Sequence, residues 1–517
     1  MTAKQRYDAL LGYRSEYLDQ ADTAARLTLP YLIRDEEQYR GATHDLKTPW
    51  QSIGAKGVVT LASKLMLALL PAQTSFFKLQ VDESQLAKLA EVPPEVKTEL
   101  DLSLAKIERN IMDAIAASDD RVVVHQALKH LVVAGNALIF MGKDGLKLFP
   151  LNRFVVDRDG NGNVIEIVTK EKIAKKLLAD VLEDYEIPVD GEDSREREDC
   201  DVYTHVRRDN NRFVWYQEVE ERIIPKSQGK ASLETNPWIH MRFNTVDGEA
   251  YGRGRVEEFV GDLKSLEALS QAIVEGSAAA AKVVFVVSPS STTKPQTLAQ
   301  AGNGAIVQGR PDDIGVVQVG KSADFATAYQ MIQQLEKRLS EAFLILTVRQ
   351  SERTTAEEVR MTQMELEQQL GGLFSLLTVE FLVPYLHRKL NVFEKTGKIP
   401  KLPKEVVKPV IVAGVNALGR GQDREALGMF LTTISQTMGP EATQRFIDPE
   451  EVIKRLAAAQ GIDILNLVRS SQELQQEEQQ AQQQAMGIEQ GKIEAQMASA
   501  PINDPSKNPQ LAEELGG

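Results

Sequence analysis

Cysteine is almost absent from this sequence, with one residue, Cys200, among 517. A single thiol excludes an internal disulfide framework and any zinc or iron–sulfur site built from several cysteines. Long apolar runs are also lacking, because the longest, residues 58–70, contains Lys64 and is too short to cross a bilayer. The N-terminal segment has no apolar core of a signal peptide, so we expect a chain made inside the cell, without a membrane span.

Basic residues are outnumbered by acidic ones. The 60 lysines and arginines face 74 aspartates and glutamates, which gives a formal net charge of −14. This balance argues against a protein that coats nucleic acid through a basic surface, although it does not locate the charges. The composition, 42% hydrophobic and 26% charged, is that of a globular protein. The length allows about three domains of roughly 150 residues.

Motifs for phosphate, metal and nucleophile chemistry are missing as well. The sequence has no GxxxxGK(S/T) loop, no HExxH and no complete GxGxxG between a strand and a helix. His125 and His130 are five residues apart, which places them off a common helix face. The run 157–162 resembles the first half of an EF-hand loop, but position 12 is Val168 and the flanks alternate like strands, which predicts a β-turn. We therefore expect neither an enzyme nor a metal or cofactor.

Hydrophobic periodicity predicts a mixed first half. Apolar residues at helical spacing indicate helices at about 5–28, 55–70, 94–117 and 122–140, the last becoming strand-like near its end. The period then changes to that of strands, with two predicted hairpins at 145–170 and 202–224. Between them, the acidic residues 189–201 predict a solvated loop that contains Cys200.

From Val256 onward, two amphipathic helices enclose a small mixed module. The helices are predicted at 256–282 and at about 324–346, and strand-like and helical pieces lie between them at 283–322. Two helices with a module at their tip form an arm, which cannot bury both of its sides alone. Repeated around an axis, such arms can pack against their neighbours and enclose a channel.

The last part of the chain is predicted to be helical and then polar. A break at 347–353 precedes a long helix that reaches about residue 393, with bends expected at Gly371-Gly372 and Pro384. Helices are predicted next at 423–438 and 448–459. A Gln-rich tail follows, for which a polar helix, disorder and a short coiled coil are alternatives.

Several segments of the sequence, taken in order, carry a family resemblance. They are KTPWQSIGAKGVVTLASKLMLALLP at 47–71, ALKHLVVAGNALIF at 127–140, FVVDRDGNGNVIEIVT at 154–169, DVYTH at 201–205, DGEAYGRGRVEEFVGDLKSLEALSQAIV at 247–274, VQGRPDDI at 307–314, TTAEEVRMTQMELEQQLGGLFSLL at 354–377 and LGRGQD at 418–423. In this order they resemble the portal, or head-to-tail connector, proteins of short-tailed podoviruses of the autographivirus type. The resemblance spans about residues 1–465.

The resemblance implies an α+β, mainly helical portal fold, assembled as a ring of twelve subunits around a central channel. The family's parts would lie on this sequence as a mixed wing at 1–255, stem helix 1 at 256–282, a small α/β clip at 283–322, stem helix 2 at 323–346, a tunnel loop at 347–355, a long kinked wing helix at 356–400, a helical crown at 401–470 and a tail, as a barrel remnant or disordered, at 471–517.

The same resemblance implies a function and a location. Such a ring would lie at one capsid vertex of a bacteriophage virion, at the head–tail junction, after synthesis in the host cytoplasm. It would nucleate head assembly and conduct double-stranded DNA during packaging and ejection. The implied partners are the terminase large subunit, tail adaptor and tail proteins, major capsid and scaffolding proteins, and internal core proteins. Terminase would supply ATP hydrolysis, which agrees with the missing phosphate loop here.

Candidate functional residues follow from these positions. Arg349 and Arg353, in the implied tunnel loop, are the first candidates for contact with DNA, and pairing with Glu352 or Glu357 is the alternative. Weaker basic candidates near the stem and clip are Arg253, Arg255, Lys282 and Lys294, of which the first two are expected to pair with Glu257, Glu258 or a neighbouring subunit. Stem packing within and between subunits is assigned to Phe259, Leu263, Leu266, Leu269, Leu335 and Leu339.

Another function remains as an alternative. A helical scaffold or adaptor protein without a DNA channel would use the Gln-rich tail as its binding segment. The two functions differ in one observable, because only the first requires rings with a central hole.

Overall fold

The computed structural model describes most of the chain up to residue 438. The described residues are 1–33, 47–71, 75–81, 94–143, 145–174, 199–280, 284–290, 294–302, 314–317, 322–345, 372–402, 407–411 and 420–438, with single residues at 306, 308, 310, 312 and 452. The chain divides into two compact units, Met1–Ala417 and Leu418–Gly517. The fold described below is that of the first unit, except for the last helix.

The described helices agree in place with the sequence predictions. They are α1 Ala3–Arg26, α2 Ile53–Leu69, α3 Pro94–Ala116, α4 Asp120–Ala134, α5 Val260–Ala280, α6 Pro295–Gln300, α7 Ser322–Ala342, α8 Val383–Lys395 and, in the second unit, α9 Arg420–Met438. Short 3-10 turns occur at Leu151–Arg153 and Glu257–Phe259. The break at 347–353, Gly371, the Gln-rich tail and, apart from Val452, the predicted helix 448–459 lie outside the described residues.

The described strands form four antiparallel sheets. The strands are β1 Phe77–Val81, β2 Asn136–Met141, β3 Leu146–Phe149, β4 Phe154–Arg158, β5 Val164–Ala174, β6 Asp199–Asp209, β7 Arg212–Val219, β8 Arg222–Ile223, β9 Gly229–Ser232, β10 Trp238–Arg242, β11 Val284–Val287, β12 Ile314–Val317 and β13 Val407–Ile411. The largest sheet has the order β4-β5-β6-β7-β8, with β9 also paired to β7. A three-stranded sheet has the order β10-β2-β3, and β1 pairs with β13 and β11 with β12.

Helix α1 lies on the largest sheet. A capping box between Thr2 and Gln5 satisfies its first backbone donors. Arg6 donates to Glu166 on β5 at 2.6 Å, and the buried Arg14 donates to the backbone oxygen of Phe154 on β4 at 3.0 Å. Between these polar contacts, apolar side chains of the helix and the sheet form a small core of their own, made of Ala3, Tyr7, Leu10, Val155, Val168 and Tyr203.

The main core lies where α2, α4, the three-stranded sheet and the bases of α5 and α7 meet. The predicted change from helix to strand near the end of 122–140 is confirmed, because Gly135 adopts a left-handed conformation with φ of 73° and Asn136 begins β2. A side chain at position 135 would lie 2.5 Å from the backbone oxygen of Gly252. Asn136 and Gly252 exchange two hydrogen bonds of 2.7 Å. This contact fixes the chain that leads into α5.

The run that resembles an EF-hand loop is a β-turn, as predicted. It joins β4 to β5, and Gly162 in it has a φ of 78°. One carboxylate oxygen of Asp159 accepts the backbone N–H groups of Asn161 and Asn163, at 3.0 and 2.8 Å. The pKa of Asp159 is lowered, mainly by the hydrogen bond from the Asn163 side chain and further by these backbone hydrogen bonds. The hydrogen-bonding capacity of the Asp159 carboxylate is therefore used by N–H groups of the turn itself.

Both predicted hairpins are confirmed, as β4–β5 and β6–β7, and one prediction about this region needs correction. The two hairpins belong to one sheet, because β5 pairs with β6 over nine residue pairs from Glu166–Arg207 to Ala174–Asp199. The predicted solvated loop 189–201 is wrong at its end, because β6 begins at Asp199 and Cys200 is a buried residue of that strand opposite Ile173. Residues 189–198 lie outside the described residues. At the start of β6, buried and half-buried residues alternate as expected for a strand. The acidic residues around Cys200 made this segment look like a solvated loop in the sequence.

The long helix changes its hydrogen-bond pattern at residues Thr378–Leu382, which form a π-helical segment. Helical backbone precedes it at 372–377, and α8 follows it directly with Pro384 in its first turn. In the continuous helix 372–395, Pro384 has no N–H to donate to a carbonyl of the preceding turn, and the π segment lies in that preceding turn. The irregularity expected at Pro384 is therefore present, and it is centred on the residues just before the proline. The π segment places Glu380 next to Arg242 of β10, at 2.6 Å.

Candidate functional site: a helical arm and its base

The arm predicted from the sequence is present. Helices α5 and α7 pack against each other, and the antiparallel pair β11–β12 and the short helix α6 lie between them in the chain. Near its outer part, Gly276 of α5 permits a close approach, since a side chain there would lie 2.8 Å from the ring of Phe325. Arg338 of α7 pairs with Asp262 of α5 at 2.7 Å. The two helices are therefore held together by packing and by one exposed ion pair.

The residues assigned to stem packing fall into two groups by burial. Leu263, Leu266 and Leu339 are fully buried, and Leu335 is nearly so, with 7% of its surface exposed. Phe259 and Leu269 are partly buried and pack against the same core. All of these contacts are made within one chain. The packing of the arm on its own body therefore accounts for them without a neighbouring subunit.

The outer part of the arm keeps large apolar side chains exposed. Val274 of α5, Val286 of β11, Tyr329 and Met331 of α7 are exposed over about half of their surfaces, at 50%, 50%, 58% and 49%. The apolar spacing along 325–343 predicts Tyr329 on the stem-packing face, whereas Met331 lies outside that spacing. Their exposure was not predictable, because the helical period alone does not show which part of the α7 surface α5 leaves uncovered.

Arg253 is held between two carboxylates at the base of the arm. Its guanidinium group pairs with Glu249 and with Glu257, at 2.7 Å in each case. Hydrogen bonds to Glu249, and then to Glu257, raise the pKa of Arg253 above its usual range. The ring of Tyr17 lies 5.4 Å from the guanidinium carbon. The expected pairing with Glu257 is confirmed, and the positive charge is compensated within the chain.

Arg255 closes the base of the arm. It donates to Glu258 at 2.6 Å and to the backbone oxygen of Ala342, the last residue of α7, at 3.1 and 3.3 Å. Cations near the carboxyl end of a helix are favourable, because the last carbonyl groups have no partner within the helix. The expected pairing with Glu258 is confirmed. The contact with Ala342 was not predicted, since nothing in the sequence relates residue 255 to residue 342.

The other basic candidates lie apart from this base. Lys294, just before α6, is exposed. Lys282, Arg349 and Arg353 lie outside the described residues. Their assignment to the channel stays a prediction.

A cavity of about 360 Å³ lies at the base of the arm. Ala342 and Leu344 line it from the end of α7, and Gly372 and Leu373 line it from the start of the following helical segment. The two described ends that flank residues 346–371 therefore meet at one place, beside Arg255.

The described part of the chain offers no site for a metal and no membrane-spanning helix. Across these residues there is no group of three His, Cys, Asp or Glu side chains that could hold a metal ion. Among the described helices, none combines the length and apolar character needed to cross a bilayer. His130 is buried in α4, and His125 lies 3.2 Å from the hydroxyl of Ser63. The two histidines do not share a site.

Comparison with known proteins gives a match along most of the chain. The family model of the bacteriophage head to tail connecting protein matches residues 1–465. The portal proteins of Escherichia phage T7 and of Enterobacteria phage T3 are each 38% identical to this chain, over 92% of it and 89% of their own lengths. The portal protein of Enterobacteria phage SP6 is 31% identical, over 90% of this chain and 89% of its own.

Solved structures with a similar chain come from the necks of gene transfer agent (GTA) particles. The neck of the native particle, computed with C12 symmetry, is 12% identical and covers 71% of this chain and 85% of its own, with a TM-score of 0.36. The neck of the empty particle, computed with C6 symmetry, is 11% identical and covers 80% and 90%, with a TM-score of 0.37. Scores this low do not by themselves show a common fold.

Proposed function

This chain belongs to the bacteriophage head-to-tail connecting protein family and acts as a portal between capsid and tail, and we propose that it does so as a ring of twelve subunits around a DNA channel. The ring would occupy one vertex of the capsid, nucleate head assembly and conduct double-stranded DNA in both directions. The portal proteins of phages T7 and T3 are each 38% identical to this chain over 92% of it, which supports transfer of the portal role.

One structural observation supports the ring above all others. The arm buries Leu263, Leu266 and Leu339 at its base but leaves Val274 and Tyr329 half exposed along its outer part. Apolar side chains that recur along one element and stay open to solvent mark an interaction surface. Arms of neighbouring subunits would cover these side chains if they packed side by side around an axis.

The acidic balance of the chain suits a channel through which DNA slides. Each contact between a basic side chain and a phosphate adds affinity by releasing counterions, so a lumen lined with many such contacts would hold the duplex in place. A net charge of −14 per chain, multiplied around a ring, disfavours that adhesion. Basic residues at a few levels of the channel would then suffice to centre the duplex.

The basic candidate residues divide into three roles under this proposal. Arg349 and Arg353, in the implied tunnel loop, would face the DNA. Arg253 and Arg255 instead support the base of the arm, because their charges are compensated by Glu249, Glu257 and Glu258. Lys282 and Lys294, near the implied clip, would lie where the terminase large subunit and then the tail proteins dock.

Other partners and the location follow from the same role. The outer surface of the ring would meet the major capsid and scaffolding proteins, and its inner side the internal core proteins. Terminase would supply the ATP hydrolysis, so the chain itself would not be an enzyme. The mature ring would be part of the virion, after synthesis in the host cytoplasm.

Electron microscopy of the purified full-length chain in negative stain tests the proposal. We expect rings with a central hole, and native mass spectrometry of the same sample should give a mass of twelve chains. Rings of another number would overturn the count but keep the channel. Discrete single chains, or assemblies without a hole, would contradict the portal role and favour a helical scaffold or adaptor.

A further inference from the structure

Helix α2 contacts both helices of the arm, and its sequence is the first of the segments that carry the family resemblance. Its apolar residues predict a buried helix. In the structure, α2 lies under the base of the arm, with Leu61 and Leu65 fully buried and α7 packed against it.

Two glycines of α2 each receive one helix of the arm. A side chain at Gly54 would lie 3.2 Å from Leu263 of α5 and 2.8 Å from the backbone oxygen of Leu27. A side chain at Gly57 would lie 2.6 Å from the ring of Phe343, which directly follows α7. Residues three apart lie on one face of a helix, so the two glycines form a notch in which both arm helices rest.

A carboxylate ties α5 to the chain just before α2. Glu267 of α5 accepts the backbone N–H groups of Trp50 and Gln51, at 2.9 and 3.2 Å. Gln51 in turn accepts the N–H of Gly54 at 2.9 Å through its side-chain oxygen. Glu267 is thus linked through Gln51 to the first glycine of the notch. Hydrogen bonds to a charged acceptor are stronger than neutral ones and hold a defined direction.

Two cations fix the end of α7. Arg255 donates to the backbone oxygen of Ala342, and the ammonium group of Lys64, on α2, donates to the backbone oxygen of Leu344. Leu344 has a positive φ of 55°, which ends the helix at this point. Burial lowers the pKa of Lys64. The cost of partly burying the Lys64 ammonium group is offset by its hydrogen bond to the backbone oxygen of Leu344.

We infer that Gly54, Gly57, Glu267, Lys64 and Arg255 form a socket that sets the angle of the arm against the body of the subunit, and that this angle determines how many subunits close a ring. The inference rests on the proposed ring. Neighbours in a closed ring are related by one rotation, and that rotation depends on how the arm surface is oriented relative to the rest of the same chain. A change of a few degrees in each subunit accumulates around the ring.

Gly57→Ala tests the inference. The added methyl group must displace Phe343, because it would meet three atoms of that side chain within 3 Å. We expect rings that still form but whose subunit number, counted by native mass spectrometry and class averages, shifts or spreads around the wild-type value. Glu267→Ala should give the same spread, and Glu267→Gln, which keeps an oxygen acceptor, should restore most of the wild-type distribution.

Three control variants separate the socket from general effects. Gly261→Ala lies in α5 with open space around it, and should leave the distribution unchanged. Gly276→Ala creates a similar clash with the ring of Phe325, but in the outer part of the arm. Val168→Ala removes buried apolar surface from the largest sheet and lowers stability away from the arm.

The outcomes distinguish this inference from the ring itself. A wild-type subunit number in Gly57→Ala and in Glu267→Ala, with rings intact, would overturn the socket and leave the portal role standing. A shifted number in Val168→Ala as well would attribute the effect to lost stability and also overturn it. Absence of rings from the wild-type chain would contradict the proposed function, on which the inference depends.

Discussion

Glu380 accepts hydrogen bonds from both the backbone and the side chain of Arg242. The backbone N–H lies 2.8 Å from one carboxylate oxygen, and the guanidinium group lies 2.6 and 2.9 Å from the other. Arg158 of β4 lies 3.7 Å from the same carboxylate, and all three side chains are almost fully buried. One carboxylate therefore serves two guanidinium groups from two different sheets.

Replacement of Glu380 by alanine should strongly destabilise the chain. Arg158 and Arg242 would remain buried without an acidic partner, and removing one member of a buried ion pair costs about 3–5 kcal/mol. We expect a corresponding loss in the free energy of unfolding, measured by chemical denaturation at a fixed protein concentration. Glu258→Ala is the matched control, since its pair with Arg255 is partly exposed and should contribute about 1 kcal/mol or less. Equal losses in the two variants would contradict the prediction.

The sequence predicted local structure well and long-range pairing poorly. The arm was predicted from apolar spacing at 256–274 and 325–343, because each helix carries its own 3.6-residue period. The pairing of β1 with β13 was missed, because two short strands more than 300 residues apart contain no mark of their partner. The contact between Arg242 and Glu380 was missed for the same reason.

The candidate site shows the same division. Pairing of Arg253 with Glu257 was predictable, since four residues separate them in one local turn. The contact of Arg255 with Ala342 joins the two ends of the arm, and it exists only once both helices lie on α2. The contacts of Gly54 and Gly57 were not predictable, because a glycine in the sequence does not indicate which side chain occupies the space beside it.

The stability of the chain should fall as the pH drops below about 6.5. Burial, and then the nearby Lys129, lowers the pKa of His130 to about 4. In the unfolded chain His130 takes up a proton near pH 6.5, the ordinary value for histidine, whereas in the folded chain it stays neutral down to about pH 4. The unfolded state therefore binds more protons between these two values, and the loss on acidification amounts to about 3 kcal/mol for this residue.

Urea denaturation at several pH values between 7 and 4 measures this loss. His240 should contribute in the same direction, because burial, and then Arg158 and Arg242, holds its pKa well below the usual value. The variant His130→Leu has no proton to gain and should show a shallower fall over the same range. An identical pH dependence in the wild type and in His130→Leu would refute this assignment.

Arg349 and Arg353 are expected to act on DNA and not on assembly. Their combined replacement by alanine removes two positive charges per subunit from the implied tunnel loop. We expect rings of normal appearance but fewer DNA-filled heads, or heads that lose DNA, because phosphate contacts are lost at one level of the channel. A fluorescence assay of packaged DNA in complemented infections measures this effect.

Arg26→Ala is the control for this double variant. Arg26 is an exposed residue of α1 that pairs with Asp22 at 2.7 Å, so its loss removes a surface charge far from the implied loop in sequence. It should package DNA normally. Normal packaging and DNA retention by the double variant would rule out a DNA-contacting role for both arginines.

Tyr329→Lys should block ring formation without unfolding the subunit. Tyr329 is 58% exposed on α7, so a lysine costs the isolated chain little, but between two arms it would bury a charge without a partner. Leu266→Asp should also prevent rings, although by another route, because Leu266 is fully buried within its own chain and the substitution would unfold the base of the arm.

The two variants therefore separate contacts within a subunit from contacts between subunits. Circular dichroism should show a normally folded Tyr329→Lys and a disrupted Leu266→Asp, while size-exclusion chromatography shows neither as a ring. Thr327, near Tyr329 on α7 and exposed, provides the matched control, and Thr327→Lys should still assemble if only the apolar surface is covered. Rings from Tyr329→Lys would place the neighbouring subunit elsewhere, whereas a folded Leu266→Asp would contradict the burial of the arm on its own body.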